Sequence, residues 1–393
     1  MGTDRRGRRI LGRNSGEGAT LLPLGFYSKN EQRSVPMALN TKLLAALCET
    51  PGVPGREERV RELITKEIKG LFDSVETDAM GSLICRRKPR GANGAVKKSK
   101  DPKTLMLLCH MDEIGFYVSS IDENGFLWLS PAGGFDTRNL FSRRVLVCGK
   151  GGDFKAVMNP GGRPVHIASA EDRKKVPEVK EFFVDTGMTA GQVNKNIQIG
   201  DFIVMDEPFI EIGDKLVSKA MDNRVACWLG IESVRKLAKS KSAHNCEIVV
   251  AFTTQEEVGL RGAKTAAFAV KPDIGFGIDV TLSCDTPGVP KNESVTTQGD
   301  GFALHIKDSS FISDYELVSK VEAIAKKKRI SFQRSILGAG GQDGAAAQQA
   351  AAGAKAVGIT VGTRYIHTVT EMIDKKDLQS ACDILAAAMG ELK

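Results

Sequence analysis

Short apolar runs alternate with longer amphipathic stretches along much of the chain. Continuous apolar runs of about four to eight residues are typical of strands buried on both faces, whereas a 3.6-residue periodicity indicates a helix. The runs cover 104–109, 247–254, 274–278 and 356–360, and helical periodicity covers 41–47, 57–71, 223–239, 317–327 and 377–392. This alternation predicts an α/β fold, with a mostly parallel sheet flanked by helices.

Residues 116–215 have a different pattern, in which short alternating runs are separated by Gly, Pro and Asp turns. Such spacing is typical of a small all-β module. The sequence therefore predicts a catalytic α/β domain from 37–117 and 214–393, interrupted by a β-rich, barrel-like domain at 118–213. Residues 1–36 lack apolar periodicity and are predicted to be a disordered basic extension, either a transit segment or residues upstream of a start at Met37.

Ionisable side chains recur where the predicted buried strands end. The carboxyl ends of parallel strands form one edge of a sheet, and ligands bind outside that edge. Alternate residues of an extended chain also point to the same side, so His110 could bind a metal while Asp112 orients it. The candidate site residues are His110, Asp112, Asp222, Glu256, Glu257, Asp279 and His367.

Two imidazoles and several carboxylates without a thiolate are typical ligands for zinc, cobalt or manganese. Five ligands suffice for two ions if one carboxylate bridges them, and paired ions can share a hydroxide and polarise a carbonyl. Hydrolysis also needs a carboxylate that binds no metal, to move the proton from water to the leaving amine. Glu256 and Glu257 are adjacent and point differently, so one can bind a metal while the other faces the water.

Composition limits the possible partners. The 393 residues are 41% hydrophobic and 26% charged, as in ordinary soluble proteins, and no apolar segment approaches the roughly 20 residues that cross a bilayer. Eight scattered cysteines without a C-x-x-C pair indicate neither a disulfide framework nor a thiolate metal site, which predicts a cytoplasmic protein.

The net charge of +7 does not indicate nucleic-acid binding. Residues 1–36 hold seven basic against three acidic residues, so most of the excess lies in the extension. A second basic run, 86–103, has no interleaved aromatic residue that could stack on bases, and it is predicted to be a solvated loop. We expect neither a nucleic-acid nor a membrane partner.

From about Leu43 to Leu392 the chain resembles the glutamyl aminopeptidase family of dinuclear metallopeptidases, which includes the tetrahedral (TET) aminopeptidases. The motifs that carry the resemblance are Cys-His-Met-Asp-Glu-Ile-Gly-Phe (109–116), Lys-Ala-Met-Asp-Asn-Arg (219–224), Gln-Glu-Glu-Val-Gly-Leu-Arg-Gly-Ala (255–263), Gly-Ile-Asp-Val-Thr (277–281) and Arg-Tyr-Ile-His (364–367). The resemblance implies a metal-dependent aminopeptidase that hydrolyses amino-terminal residues from peptides, with two divalent ions per chain. Zinc is the expected metal, with cobalt or manganese as alternatives.

The resemblance also implies a role for each candidate. His110 and Asp279 would hold one ion, Glu257 and His367 the other, and Asp222 would bridge them. Glu256 would be the general base and Asp112 would orient His110. The inserted β-domain would serve assembly into a homo-oligomer, from a dimer up to a dodecamer.

Three positions depart from the family pattern. The residue after the bridging aspartate is commonly acidic and is Asn223 here, which keeps the local geometry but not the charge. The Gly-Gly-Thr-Asp loop appears as Gly-Gly-Gln-Asp (340–343), which is expected to border the substrate, and Thr368 replaces the usual Ser.

Two other functions remain open from the sequence. A related co-catalytic carboxypeptidase or deacylase would carry its extra domain between the last acidic ligand and the final histidine. Here the longer gap, of 112 residues, lies between His110 and Asp222, against 88 between Asp279 and His367, which favours an aminopeptidase. A non-enzymatic assembly protein with this fold would have lost ligands, and none is lost.

Overall fold

The structure, a computed structural model, describes residues 39–393, so the predicted extension at 1–36 lies outside the described residues. In chain order the strands are β1 (Ser74–Thr77), β2 (Leu83–Arg87), β3 (Thr104–His110), β4 (Gly115–Ile121), β5 (Leu127–Ala132), β6 (Arg143–Gly149), β7 (Gly152–Pro160), β8 (Phe182–Asp185), β9 (Phe202–Met205), β10 (Ile210–Ile212), β11 (Lys215–Ser218), β12 (Glu247–Thr253), β13 (Ile274–Leu282), β14 (Phe302–Lys307), β15 (Phe332–Ile336), β16 (Lys355–Arg364) and β17 (Glu371–Asp374). The helices are α1 (Thr41–Glu49), α2 (Glu58–Glu67), α3 (Ala190–Asn196), α4 (Met221–Ser240), α5 (Arg261–Val270), α6 (Tyr315–Lys328), α7 (Gly344–Gln349) and α8 (Lys375–Glu391).

Eleven strands form one mixed sheet in the order β1-β2-β12-β3-β13-β16-β17-β11-β10, with β14 paired to β16 and β15. The strands β12, β3, β13 and β16 at its centre are parallel, and antiparallel pairs flank them on both sides. These four are the strands that the apolar runs predict. Helices flank the sheet, so the predicted α/β fold class is confirmed.

Both faces of the central sheet are buried, which explains the continuous apolar runs. In β3, Leu105 and Leu107 pack into a core formed with α1, α2, α4, α6 and α8. Met106 and Leu108 point to the opposite face, where they meet small alanines of α5 and α7. The alternation in β3 thus places helices on both sides of the strand that ends in His110.

A second sheet closes into a six-stranded barrel in the order β4-β5-β8-β7-β6-β9. Each strand contributes an apolar side chain to the barrel interior, and these residues are Phe116, Leu127, Val145, Met158, Val184 and Ile203. The barrel begins five residues after His110 and ends before β10 returns the chain to the main sheet. The barrel agrees with the β-barrel-like domain of the predicted fold class. The limits of that domain, 118–213, remain a prediction.

One strand extends further than the sequence indicates. The run 274–278 predicts a strand that ends at Asp279, but β13 continues to Leu282. It pairs with β3 only through Gly277, whereas its pairing with β16 continues to Leu282. Asp279 therefore lies inside β13, just beyond the last residue of this strand that pairs with β3.

Among the described residues, no helix is long and apolar enough to cross a membrane.

Candidate metal centre

The carboxyl edge of the parallel strands brings the candidate residues together. His110 is the last residue of β3 and lies opposite Thr253, the last residue of β12. Glu256 and Glu257 follow in the loop after β12, and Asp279 lies in the neighbouring strand β13. Asp222 is at the start of α4, and His367 is in the turn between β16 and β17.

Asp222 lies between the two histidines. Its Oδ1 is 3.3 Å from His110 Nε2, and its Oδ2 is 3.4 Å from His367 Nε2. His367 Nε2 is also 3.5 Å from Glu257 Oε2. The donor atoms of His110, Glu256 and Asp279 lie within 4.8 Å of one another, as do those of His110, Asp222 and Glu257. The two clusters share His110.

Asp112 contacts three of the other candidate residues. Its two carboxylate oxygens accept hydrogen bonds from the backbone N–H groups of Glu256 and Glu257, each at 3.1 Å. His110 Nδ1 is 3.1 Å from the Asp112 carbonyl oxygen and 3.5 Å from its Oδ1. Asp112 is fully buried. Its contacts orient the His110 imidazole and hold the backbone of Glu256 and Glu257.

Burial of so many carboxylates has an electrostatic cost. Burial raises the pKa values of Glu256, Glu257 and Asp279 well above their usual range, and neighbouring carboxylates raise them further. Burial would lower the pKa of His367, but the carboxylates of Asp222 and Glu257 outweigh it and raise this pKa to about 10. A cluster of acids that repel one another in this way is suited to a cation.

The donor set fits divalent metal ions. Imidazole nitrogens and carboxylate oxygens suit zinc, cobalt or manganese. Glu257 Oε1 is buried and has no hydrogen-bond partner among residues 39–393, as expected of an atom that is free to bind an ion.

Backbone strain is concentrated next to these side chains. Ala220, Gln255 and His367 adopt left-handed conformations with φ values of 58°, 56° and 61°. Each costs of the order of 1 kcal/mol in a residue with a Cβ, and such residues tend to cluster at functional sites. The peptide bond between Asp222 and Asn223 is cis.

Asn223 takes the position that is commonly acidic in the resembled family. Its Nδ2 donates to Asp279 Oδ1 at 2.8 Å and to the Ile278 carbonyl at 3.0 Å. Its Oδ1 accepts from the Ala226 N–H at 3.0 Å, which caps the regular part of α4. The amide thus orients a candidate ligand and begins the helix that follows Asp222.

Sequence reasoning missed Glu371, which supports two candidates. Its carboxylate accepts from the backbone N–H of Asp222 at 2.9 Å and from that of His367 at 2.7 Å. Burial and the nearby charge of Asp222 raise the pKa of Glu371 to about 8. Its only sequence signal is a position four residues after His367, which does not distinguish it from a surface glutamate.

Glu113 was also missed, although it directly follows Asp112. It is buried and accepts from Lys219 Nζ at 2.6 Å and from Arg224 Nη2 at 3.3 Å. Lys219 and Arg224 flank Asp222 in sequence. The three charges therefore tie the segment after β3 to the segment that positions Asp222.

A cavity of about 560 Å³ opens beside the candidate ligands. Gly340 and Gly341 of the Gly-Gly-Gln-Asp loop line it, whereas Gln342 and Asp343 are buried. The loop approaches β13 closely at Gly277, where a Cβ would lie 2.2 Å from Gln342 Oε1. The glycine in β13 thus lets the loop pack beneath the cavity wall.

Two solved structures with this fold are described as peptidases. The TET aminopeptidase of a marine-sediment archaeon of the Thaumarchaeota is 30% identical, with a TM-score of 0.84, over 90% of this chain and 96% of that one. The TET1 peptidase of Pyrococcus horikoshii, whose structure is described as assembling into a tetrahedron or a large octahedral shell, is 28% identical with a TM-score of 0.78. That match covers 90% of this chain and 99% of the other.

The family follows from the sequence comparisons. A protein of Acetivibrio thermocellus to which aminopeptidase activity is attributed is 36% identical over 86% of this chain and 94% of its own length. The model of the M42 glutamyl aminopeptidase family matches residues 91–384, and the chain belongs to that family. It is therefore an enzyme, a hydrolase with the aminopeptidase activity of this family.

Proposed function

We propose that the protein releases amino-terminal residues from peptides with two divalent cations bound at the carboxyl edge of its sheet. One observation carries this proposal. The two oxygens of the Asp222 carboxylate face different imidazoles, at 3.3 Å from His110 Nε2 and 3.4 Å from His367 Nε2. A carboxylate shared in this way between two histidines is suited to bridging a pair of ions.

The remaining ligands divide between the two positions. His110 and Asp279 would complete one position, and Glu257 and His367 the other, with Asp222 common to both. Zinc suits this set of nitrogen and oxygen donors, and cobalt and manganese are alternatives. Bound cations would polarise the scissile carbonyl and acidify the attacking water.

Glu256 is the proposed general base. Its Oε2 is 3.9 Å from His110 Nε2, so it lies beside the five residues that we assign to the metals. It would take the proton from the attacking water and deliver it to the leaving amine. Asp112 would keep it in place through the hydrogen bond to the Glu256 N–H.

We further propose that the protein acts as a homo-oligomer, with the β-barrel as an assembly element. The similarity to the TET1 peptidase of Pyrococcus horikoshii supports this. The mass in solution, measured by light scattering after gel filtration, should be at least twice the 42.3 kDa of the chain. A monomer at micromolar concentration would contradict it.

Aminoacyl chromogenic substrates test the function. The purified protein, assayed after chelation and after addition of zinc, cobalt or manganese, should cleave substrates with a free amino terminus only when metal is present. The same substrates blocked by acetylation at the amino terminus are the control. Release of the chromophore from the blocked substrates would contradict an aminopeptidase. Release of the last residue, or of acetate, from acetylated peptides with a free carboxyl terminus would favour the carboxypeptidase or deacylase alternative. No cleavage of any of these substrates with any metal would favour a non-enzymatic protein.

A further inference from the structure

The cavity beside the proposed metal centre has mostly apolar walls. Apart from the candidate ligands and Glu256, its larger lining side chains are hydrocarbon. These residues are Leu260, Val280, Leu282, Leu337, Ala339 and Ile366. Peptide bonds of Gly259, Gly340 and Gly341 complete the wall without adding a charge.

No lysine or arginine lines this cavity in the described part of the chain, and its only acids are Glu256 and the proposed ligands. Three cations of the surrounding segments are not in the lining and are held by other groups, two of them by neutral carbonyls and one by a carboxylate. Lys264 Nζ donates to the Gly259 carbonyl at 2.9 Å, and Lys307 Nζ donates to the Asp308 carbonyl at 3.3 Å. Arg364 forms a two-point ion pair with Asp285, at 2.8 and 2.6 Å.

The polar side chains that remain in the lining are neutral. Ser310 Oγ donates to Asp308 Oδ1 at 3.0 Å, so its hydrogen is engaged. The Thr281 hydroxyl is buried without a hydrogen-bond partner in residues 39–393. Neither group can neutralise a carboxylate or an ammonium that enters the cavity.

Desolvation then decides which side chain this cavity accepts. With the ligand carboxylates bound to the ions and Glu256 directed at the attacking water, a charged side chain would lose water without gaining a free partner of opposite charge. A leucine-sized side chain would gain free energy from the burial of its apolar surface. Desolvation therefore disfavours charged side chains in this cavity, and burial of apolar surface favours hydrocarbon ones.

We propose that this cavity receives the side chain of the substrate's amino-terminal residue and selects neutral, apolar residues such as Leu and Met over Glu, Asp, Lys and Arg. The selectivity differs from the glutamyl preference in the family's name. It rests on the proposed function, because the metal centre fixes which residue of a peptide reaches the cavity.

Steady-state kinetics with Leu, Ala, Glu and Lys p-nitroanilides tests the selectivity. We expect kcat/KM for Leu to exceed that for Ala by about tenfold, as is typical for added apolar bulk, and those for Glu and Lys by more. A value for Glu or Lys equal to or above that for Leu would overturn the proposal.

Binding separates this proposal from the proposed function. Calorimetry of the metal-loaded Glu256→Gln variant with the amides of leucine, glutamate and lysine measures selectivity without hydrolysis. Leucine amide should bind at least about tenfold more tightly, a difference of 1.4 kcal/mol. This order would stand even if the wild type hydrolysed nothing, whereas equal affinities, the reverse order or no binding at all would overturn it.

Two neighbouring substitutions locate the selective surface. Leu337→Lys adds a cation to the cavity wall, whereas Ile336→Lys adds the same charge at an adjacent residue that is 60% exposed and does not line the cavity. Leu337→Lys should raise the Glu-to-Leu ratio of kcat/KM by about tenfold or more, since the added ammonium would attract the glutamate carboxylate at a partly buried position. Ile336→Lys should leave the ratio within about twofold. An equal shift in both variants, or none in Leu337→Lys, would overturn the assignment.

Discussion

At the scale of single residues, Glu256 and Glu257 are adjacent, and Asp112 holds the backbone N–H groups of both. Their carboxylates nevertheless differ in surroundings. Glu257 Oε2 lies 3.5 Å from His367 Nε2, whereas Glu256 lies on the His110 side. On this difference we propose that Glu257 binds metal and that Glu256 transfers the proton.

Exchanging each carboxylate for an amide separates the two roles. Glu256→Gln should lower kcat by about 10²–10⁴-fold and keep the metal content of the wild type, because it removes a base but no ligand. Glu257→Gln should lower metal content and activity together. Metal analysis and chromogenic assays on the same samples measure both. Glu293→Gln, on the exposed surface, is the control for the exchange itself.

If Glu256→Gln retained near wild-type activity with its metals bound, the base would have to be another residue. If it lost its metals, Glu256 would be a ligand.

All seven candidate residues could be selected from the sequence, because most follow a predicted buried strand, where an unpaired charge would be costly, and all lie in the motifs of the resembled family. Glu371 and Glu113 could not be selected. Glu371 acts by accepting two backbone N–H groups, and Glu113 by pairing with Lys219 and Arg224. Such contacts depend on tertiary structure and leave no pattern in neighbouring residues.

At the scale of elements, the buried Glu113–Lys219–Arg224 cluster joins the end of β3 to the start of α4. Arg224 is fully buried and also donates to the Gly52 and Thr50 carbonyl oxygens. Removing one partner from a buried ion pair leaves the others without compensation. The cluster should therefore be a principal support of the segment that carries Asp222.

Glu113→Ala should lower the free energy of unfolding by about 3–5 kcal/mol, because Lys219 and Arg224 would remain buried without their carboxylate. Urea denaturation of the metal-free protein measures this. Glu247→Ala breaks a more exposed ion pair with Arg86 and should cost about 1 kcal/mol or less. Equal losses in the two variants would contradict the proposed support.

The central elements were predictable because strands buried on both faces have continuous apolar sequences. The strands β14, β15 and β17 were not predicted. Each is only four to six residues long. The apolar pattern of β14 is also interrupted by His305, whose Nε2 lies 3.1 Å from Asp308 Oδ2 in the interior. The end of β13 was misplaced because its pairing with β16 outlasts its pairing with β3.

At the scale of the whole molecule, the metal centre concentrates buried acid at the edge of an otherwise well-packed sheet. Burial raises the pKa values of Glu256, Glu257 and Asp279, so the unfolded chain releases these protons at lower pH than the folded chain does. Their contribution to stability is therefore largest at acid pH and falls as the pH rises above about 4.5. His367, with its pKa raised to about 10, contributes fully below about 6.5 and loses that contribution as the pH rises towards 10.

Between pH 5 and 8, the three carboxyl groups and His367 all contribute less to stability as the pH rises. The midpoint of thermal unfolding of the chelated protein should fall by several degrees across this range. With metal in excess the fall should be smaller or reversed, because a ligand that binds only the folded state adds stability and competes with protons. Differential scanning fluorimetry at constant ionic strength measures this, and a midpoint of the chelated protein that rises from pH 5 to 8 would contradict it.

The strands of the barrel could be predicted from the sequence, but the closure of the barrel could not. Its alternating runs predict short strands, but closure depends on pairing β4 with β9, which are separated by most of the module. Pairing over such a distance depends on the packing of six interior side chains rather than on any local pattern.

If Asp222 is shared by two ions, its loss should weaken both metal positions, and the metal content of Asp222→Ala measures this. Plasma mass spectrometry of dialysed samples should give two ions per chain in the wild type. It should give fewer than one in the variant, because both positions lose a ligand. Asp300→Ala, at an exposed position, should match the wild type. Two ions per chain in Asp222→Ala would show that Asp222 does not bridge the ions.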